Sequence, residues 1–235
     1  MSGHMKRLTS PVSWGIGRKA HVWVTKQDPG AHPVSASVPA VVVLRDYLGV
    51  CDTAREARRI VGNRDVLVDG KPLKSYKAPI GLMDVVSIPK TKSNYRMLLT
   101  DKGKFTLVPI SEKEAAWKLC RIEGKTKVRG GKIQLNLHDG RNILLDANAH
   151  STGDVLKIDL ADQKVIKAFP MEEGASAMVC SGKQAGKPVT VKEYVVVRGP
   201  GANVVRFEDG TETVKRNVFV IGAKKAEITL PEVSE

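Results

Sequence analysis

The stretch "SGKQAGKP" at 181–188 comes nearest in this chain to a nucleotide-binding motif. A phosphate loop needs GxxxxGK followed by Ser or Thr, so that backbone N–H groups wrap the phosphates and a hydroxyl holds magnesium. Here one residue is missing between the glycines, and Pro188 stands where the hydroxyl belongs. His138-Asp139 sets an imidazole beside a carboxylate, but no third ligand follows at a zinc-like spacing, and Gly140 makes the pair part of a hairpin turn. His4, His21, His32 and His150 are scattered, with no HxxxH or triad-like local arrangement. Asp146, closing "RNILLD", is the kind of aspartate a pseudouridine synthase uses, yet no acid or base accompanies it. The expectation is a protein that is not an enzyme, with no metal, no cofactor and no small-molecule substrate.

The cations, in contrast, come in sets. Arg55, Arg58, Arg59, Arg64 and Lys71 share the stretch "TAREARRIVGNRDVLVDGK", and Lys74 and Lys77 follow it. Lys125, Lys127, Arg129 and Lys132 surround Gly130-Gly131, while Lys6, Arg7, Arg18 and Lys19 decorate the N-terminal arm. Lys183 and Lys187 add to these within 181–188. One set alone reads equally well as solvated surface. Several sets with little acid nearby point instead to a polyanion, and the planar fork of arginine suits phosphate. Only 5% of the residues are aromatic, so stacking on splayed single-stranded bases is not the main mode expected. Trp14 and Trp23 are the stacking candidates, with packing on a partner surface the equal alternative. The physics favours structured RNA bound through shape and backbone, with strong salt dependence.

The charge is distributed to match. The formal net charge is +13, of which residues 1–90 carry +7 and residues 91–170 carry +6, leaving 171–235 neutral. Cys51, Cys120 and Cys180 are odd in number, far apart and without CxxC pairing, as expected of reduced cysteines. No apolar stretch follows Lys6-Arg7, and the run "VPAVVVL" at 38–44 is too short to cross a bilayer, so a soluble intracellular protein with no membrane partner is expected.

These cations need elements to hold them. Thr53 and Glu56 have capping-box spacing, with Ala54, Ala57, Ile60 and Val61 on one face of the ensuing helix and Arg55, Arg58 and Arg59 on the other. A short strand at 66–68 leads to an Asp69-Gly70 turn, and "AVVVLRDYLGV" at 40–50 reads as a helix stopped by Gly49. "MDVVSIP" at 83–89 is a strand ended by Pro89. From 91 the pattern is mostly β: strand pairs over 96–110, 132–146 and 153–169, a short helix over 111–119 with Ser111 and Glu114 as its cap, and short strands with Gly-rich turns over 177–221. The first 40 residues hold Pro11, Pro29, Pro33 and Pro39 without periodicity and read as an arm that is unconstrained until a partner orders it.

"TAREARRIVGNRDVLVDGK…GLMDVVSI" over 53–88 resembles the small RNA-binding domain first known from bacterial ribosomal protein S4. Arg55, Ala57 and Ile60, then Val66, Val68, Asp69 and Gly70, fill its pattern. Leu82-Met83 between Gly81 and Asp84, and Arg64 where the domain usually has glycine, are departures shared by the archaeal and eukaryotic ribosomal protein S4e family. "KRLTSPVSWGIGRK", "WKLCRIEGKTKVRGGKIQLNLHDGRN", "GDVLKIDL" and "AMVCSGKQAGK" with "RNVFVIG" resemble that family's arm, central domain and KOW segment in order. Val189 replaces a KOW glycine.

The resemblance implies an α+β, mostly β fold: an irregular basic arm (1–40), a small two-helix RNA-binding domain with short strands (41–90), a central β-barrel-like domain (91–171), a C-terminal KOW/SH3-like small barrel (172–222) and a polar, fraying tail (223–235). It implies a structural, cytoplasmic protein of the small ribosomal subunit, with small-subunit rRNA and neighbouring small-subunit ribosomal proteins as partners. Arg55, Arg58, Arg59 and Arg64 then face RNA, with Lys71 and Lys74 beside them. An accessory of an RNA-modifying enzyme and a KOW-type transcription factor are the alternatives.

Overall fold

Strand length runs from two residues to eleven in this mostly β chain, whose computed structural model describes residues 3–147 and 149–231. Two compact units emerge, the first running to Leu99 and including Lys104–Ala116, the second comprising Thr100–Gly103 and the chain from Trp117 on.

The first unit opens with β1 (Met5–Lys6) and β2 (Trp23–Val24), an antiparallel pair joined through two short 3-10 turns. β3 (Ser37–Pro39) leads into α1 (Ala40–Val42), which continues as a π turn over Val43–Tyr47. Every residue from Ser37 to Leu44 is buried, which is what the apolar run at 38–44 is for. After Gly49 (φ +61°) comes α2 (Ala54–Gly62). β4 (Leu67–Val68) and β5 (Lys71–Pro72) follow, then β6 (Pro79–Gly81), β7 (Val85–Ile88), β8 (Ser93–Leu99), β9 (Phe105–Pro109) and α3 (Glu112–Ala115). The main sheet has the order β5-β4-β7-β8-β9, while β6 pairs with β3. Asp69 (φ +50°) and Gly70 (φ +74°) both adopt the left-handed conformation that a two-residue type I′ hairpin requires.

One expectation changes here. β8 pairs with β7 over Val85↔Arg96 to Ile88↔Ser93, and β9 and α3 fall in the same compact unit. The helix expected over 111–119 keeps its Ser111 cap, whose Oγ accepts the Glu114 N–H at 3.3 Å, but ends at Ala115. Trp117–Leu119 are strand instead, paired with the segment around Ile158.

The arm is also more ordered than its prolines suggest. Trp14 is fully buried; its Nε1–H donates to the Ser37 carbonyl at 2.7 Å, and the Tyr47 hydroxyl donates to its own carbonyl. Downstream, Gln27 donates to the His32 carbonyl (3.1 Å), and the His32 ring meets Asp84 at 3.1 Å, both groups buried. Asp84 also accepts the Gly81 N–H at 2.7 Å. A side chain at Gly81 would place its Cβ 2.4 Å from the His32 ring, so glycine is required for this approach. The arm is therefore not an unconstrained segment waiting for a partner; an indole and a buried histidine–aspartate hydrogen bond fasten it to the first unit.

In the second unit, β10 (Trp117–Lys127) is the shared strand of the order β12-β11-β10-β13-β14, with β11 at Ile133–Leu137, β12 at Asn142–Leu145, β13 at Val155–Asp159 and β14 at Val165–Phe169. Its first half pairs with β13 and its second with β11, the switch falling at an irregularity between Ile122 and Gly124. Cys120, Ile122, Leu135, Leu137, Leu156 and Ile158 form the core beneath. A second sheet, β18-β17-β16-β15-β19, repeats the device. It consists of β15 (Ser176–Val179), β16 (Pro188–Val195), β17 (Val204–Phe207), β18 (Glu212–Val214) and β19 (Val218–Gly222), and β16 changes partners across a bulge between Val191 and Glu193.

The segment after β19 does not fray as expected: Ile228 is buried and Glu227 takes ion pairs from Lys157 (2.7 Å) and Lys167 (2.9 Å). Hydrogen bonds from these two lysines hold the Glu227 carboxyl below its ordinary value. The tail's last residues, 232–235, lie outside the described residues.

Gly182 (φ +98°) and Gly186 (φ +90°) shape the 181–188 loop for different reasons. A Cβ at Gly182 would meet nothing closer than 3.9 Å, whereas at Gly186 it would lie 1.7 Å from the Thr100 carbonyl oxygen. Urea unfolding is expected to show Gly182→Ala costing about 1–2 kcal/mol from backbone conformation alone. Gly186→Ala should lose about 1–3 kcal/mol more, from forced repacking; equal losses would contradict the tight approach.

Candidate nucleic-acid interface

The α2 face is built from its cap outward. Thr53 Oγ1 accepts the Glu56 N–H at 3.3 Å, and Glu56 Oε2 accepts the N–H groups of Asp52 (3.0 Å) and Thr53 (3.4 Å). These bonds, the Asp52 N–H first, lower the Glu56 carboxyl below its ordinary value. Ala57 and Val61 are buried, Ala54 and Ile60 half-buried, and Arg55, Arg58 and Arg59 exposed, as the helical spacing dictates. Arg58 lies over the Tyr76 ring, its Cζ 4.5 Å from the centroid and its Nη2 donating to the hydroxyl at 3.1 Å. Tyr76 is itself held, since its carbonyl accepts the Val41 N–H at 2.9 Å. Stacking thus fixes the plane of one guanidinium while leaving it exposed.

Arg64 ends this turn with φ +60°. An L-residue there costs about 1–2 kcal/mol, which accounts for glycine being usual at this point in the domain that the sequence resembles. The Asp69-Gly70 turn then places the exposed Lys71 at the start of β5, and Lys74 is exposed after the buried Leu73.

Charge balance distinguishes this face from an ordinary solvated one. Glu56 is engaged in the cap, Asp65 is paired with Lys90 at 2.7 Å, and the buried Asp69 accepts the Val85 N–H at 3.0 Å. Arg55, Arg59, Arg64, Lys71 and Lys74 make no side-chain hydrogen bond or ion pair among the described residues. Glu56, Asp65 and Asp69 are committed internally, so these exposed cations carry a local excess of positive charge.

The other expected residues divide. In the β10–β11 hairpin, Gly130 (φ +86°) and Gly131 (φ +77°) form the tip, with Lys127 and Arg129 exposed beside it. Lys125 is already used, its Nζ donating to the His150 carbonyl at 2.6 Å, and Lys132 pairs with Asp146 at 3.2 Å. Lys183 and Lys187 are exposed on the 181–188 loop. In the arm, Lys6 and Lys19 are exposed and Arg18 donates to the Ser10 carbonyl at 2.8 Å. Arg7 is a correction to the expected set: it is 5% exposed and its Nε donates to the Gly17 carbonyl at 2.5 Å, so it braces the arm. Trp14, a stacking candidate, is equally withdrawn by burial. Tyr76 was missed, because nothing local links it to Arg58, eighteen residues away.

A metal-like donor set is also present where the sequence suggested only a turn. Cys120, His138 and Asp139 place ligand atoms within 4.8 Å of one another. Cys120 escaped notice because β-pairing, not spacing, brings it there. Asp139, however, already faces the fully buried Lys118 (Nζ 3.1 Å) and Arg141 (Nε 3.1 Å), so two cations occupy the position a metal would need. Burial alone would raise the Asp139 carboxyl; Lys118, His138 and Arg141 outweigh it and leave it well below its ordinary value. Cys180 is no better a ligand, since burial pushes its thiol up to about 12.

Comparison with known proteins decides the family. Residues 1–35 match the RS4NT (NUC023) domain, 40–86 the S4 domain, and 91–165 the ribosomal family S4e. The small ribosomal subunit protein eS4 of Methanothermobacter thermautotrophicus is 43% identical over 232 residues, covering 97% of this chain and 96% of the relative. This chain belongs to the ribosomal S4e family. That of Methanocaldococcus jannaschii is 41% identical, covering 97% of both chains. The crystal structure of the 30S ribosomal protein S4e from Thermoplasma acidophilum superposes with a TM-score of 0.69 at 33% identity, covering 80% of this chain and 95% of that one. The S4e family is one of ribosomal structural proteins, not of enzymes.

Asp139→Ala should destabilise the fold by about 3–5 kcal/mol in urea melts, since it removes the carboxylate that faces the buried Lys118. With the carboxyl depressed below 3.8 in the fold, its contribution is complete above that pH and is lost as the pH falls towards about 2, so Asp139→Ala should flatten the acid limb of the stability profile. Arg64→Gly should raise thermal stability by about 1 kcal/mol by relieving the left-handed strain. The same change should weaken rRNA binding; stability and binding moving together would contradict the assignment.

Proposed function

We propose that this chain is a structural protein of the small ribosomal subunit, acting in the cytoplasm, and that it binds small-subunit rRNA through the α2 face. Arg55, Arg58, Arg59 and Arg64 are the principal phosphate contacts, with Lys71 and Lys74 beside them. The observation that carries this reading is that the exposed Arg55, Arg59, Arg64, Lys71 and Lys74 make no side-chain hydrogen bond or ion pair among the described residues, while every acid among residues 53–77 is engaged elsewhere. Membership of the S4e family and the match of 40–86 to the S4 domain support it. Lys127 and Arg129 at the hairpin tip, Lys183 and Lys187 on the 181–188 loop, and Lys6, Arg18 and Lys19 in the arm are secondary contacts. Other small-subunit proteins are its protein neighbours.

The layout follows the same reading, with residues 172–222 as a KOW-type, SH3-like small barrel. The five-stranded order, the bulged β16 and the two positive-φ glycines of its first loop support that assignment. Val189 is buried, so the side chain replacing the KOW glycine points into the core and leaves the loop surface to Lys183 and Lys187.

Filter binding of the full chain to small-subunit rRNA across a salt series tests the proposal. Arg55→Ala with Arg59→Ala should lower affinity and make the log–log salt slope shallower by roughly one unit per contact removed. An unchanged slope would make these arginines ordinary solvated surface.

A further inference from the structure

The β1–β2 ribbon has two unlike faces. Met5 and Val24, directly opposite each other, are half-buried and buried. Lys6 and Trp23 form the other cross-strand pair, and residues opposite one another in antiparallel strands project to the same side. His4 lies two residues before Lys6, on that same side by strand alternation, and its ring meets the indole edge-on, with centroids 5.3 Å apart and planes at 86°. Trp23 is 55% exposed, the most solvent-open of the tryptophans: Trp14 is fully buried and Trp117 is half-buried, with the Lys157 ammonium 3.9 Å from its ring centroid. A large apolar ring left this open is a cost to the isolated chain that a partner removes.

The surrounding charge selects the partner. No Asp or Glu occurs before Asp28, while Lys6, Arg7, Arg18, Lys19 and Lys26 all lie in that stretch. Lys6, Arg18 and Lys19 are exposed. A protein surface can cover an indole anywhere, but an indole beside a lysine, in a segment without acids, fits a ligand with a flat ring and a phosphate in tandem.

We propose that Trp23 is a stacking platform for an unpaired nucleobase of RNA, with the edge-on His4 ring as a side wall and Lys6 meeting the adjoining phosphate. This rests on the rRNA-binding reading and adds to it a contact of a different kind, since the α2 face grips phosphates alone. It also settles which arm tryptophan is available for stacking: Trp23, because Trp14 is consumed by the fold.

Tryptophan emission of the full chain, titrated at low salt with single-stranded oligoadenylate and with a blunt RNA duplex of equal phosphate count, tests the platform. The oligoadenylate should quench the wild type saturably and the duplex much less. Trp23→Phe, which keeps Trp14 and Trp117, should abolish most of the quenching. Trp23→Ala should weaken oligoadenylate binding roughly tenfold, and Trp23→Phe less, as base–aromatic stacking predicts. Emission that stays constant while oligoadenylate binds, or equal affinity in Trp23→Ala, would overturn the proposal and make Trp23 a protein-docking residue. Filter binding to small-subunit rRNA in parallel separates the two readings. Binding with a silent Trp23 defeats the platform alone, whereas no binding by the wild type defeats the rRNA assignment with it.

Discussion

Four aspartates turn their charge inward, and the rest of the molecule is arranged around that choice. Asp69 holds the Val85 N–H, Asp84 the Gly81 N–H, Asp139 the Arg141 N–H, and Asp154 those of Ser151 and Met171, all with little solvent exposure. Burying a carboxylate is expensive unless it is hydrogen-bonded or paired, and each of these is. Asp84, Asp139 and Asp154 each hold a turn, and Asp69 and Asp154 also tie in segments sixteen and seventeen residues away. The consequence outside is as important as that inside: anions spent on turns are unavailable to neutralise the surface. With 38 Lys/Arg against 25 Asp/Glu, the surface keeps a positive field.

The same logic separates the lysines and arginines by role. Lys118 and Arg7 are buried and serve the fold, one as counter-ion to Asp139 and the other as a brace on the Gly17 carbonyl. Arg55, Arg59 and Arg64 lie on a helix and turn whose apolar side is anchored by Ala57 and Val61, and they are unpaired among the described residues. Arg58 is intermediate, exposed but oriented by Tyr76. Residue type alone does not distinguish these roles. Burial and the position of the nearest carboxylate do.

What was legible in the sequence follows from how local each cause is. The α2 helix was readable because its cap and apolar stripe lie within nine residues, and the 132–146 hairpin because Asp139-Gly140 specifies its own turn. Membership of the S4e family was readable from four motifs in order. Nonlocal causes were not legible. The order of the arm depends on Trp14 reaching Ser37, and that of the tail on Glu227 reaching back to Lys157, seventy residues away. β8 joins β7 in one sheet, a pairing that composition does not encode. Within the candidate site, the arginine helix was visible, whereas the burial of Arg7 and the Tyr76 platform were products of tertiary packing.

On the function proposed above, the exposed cations hold this chain in the small ribosomal subunit. Sedimentation of native cell lysate through a sucrose gradient at moderate salt, with the fractions probed for this protein, tests that most directly. Stoichiometric comigration with the small subunit, surviving a moderate salt wash, is the predicted result. Residence at the top of the gradient, away from the subunit, would contradict the account.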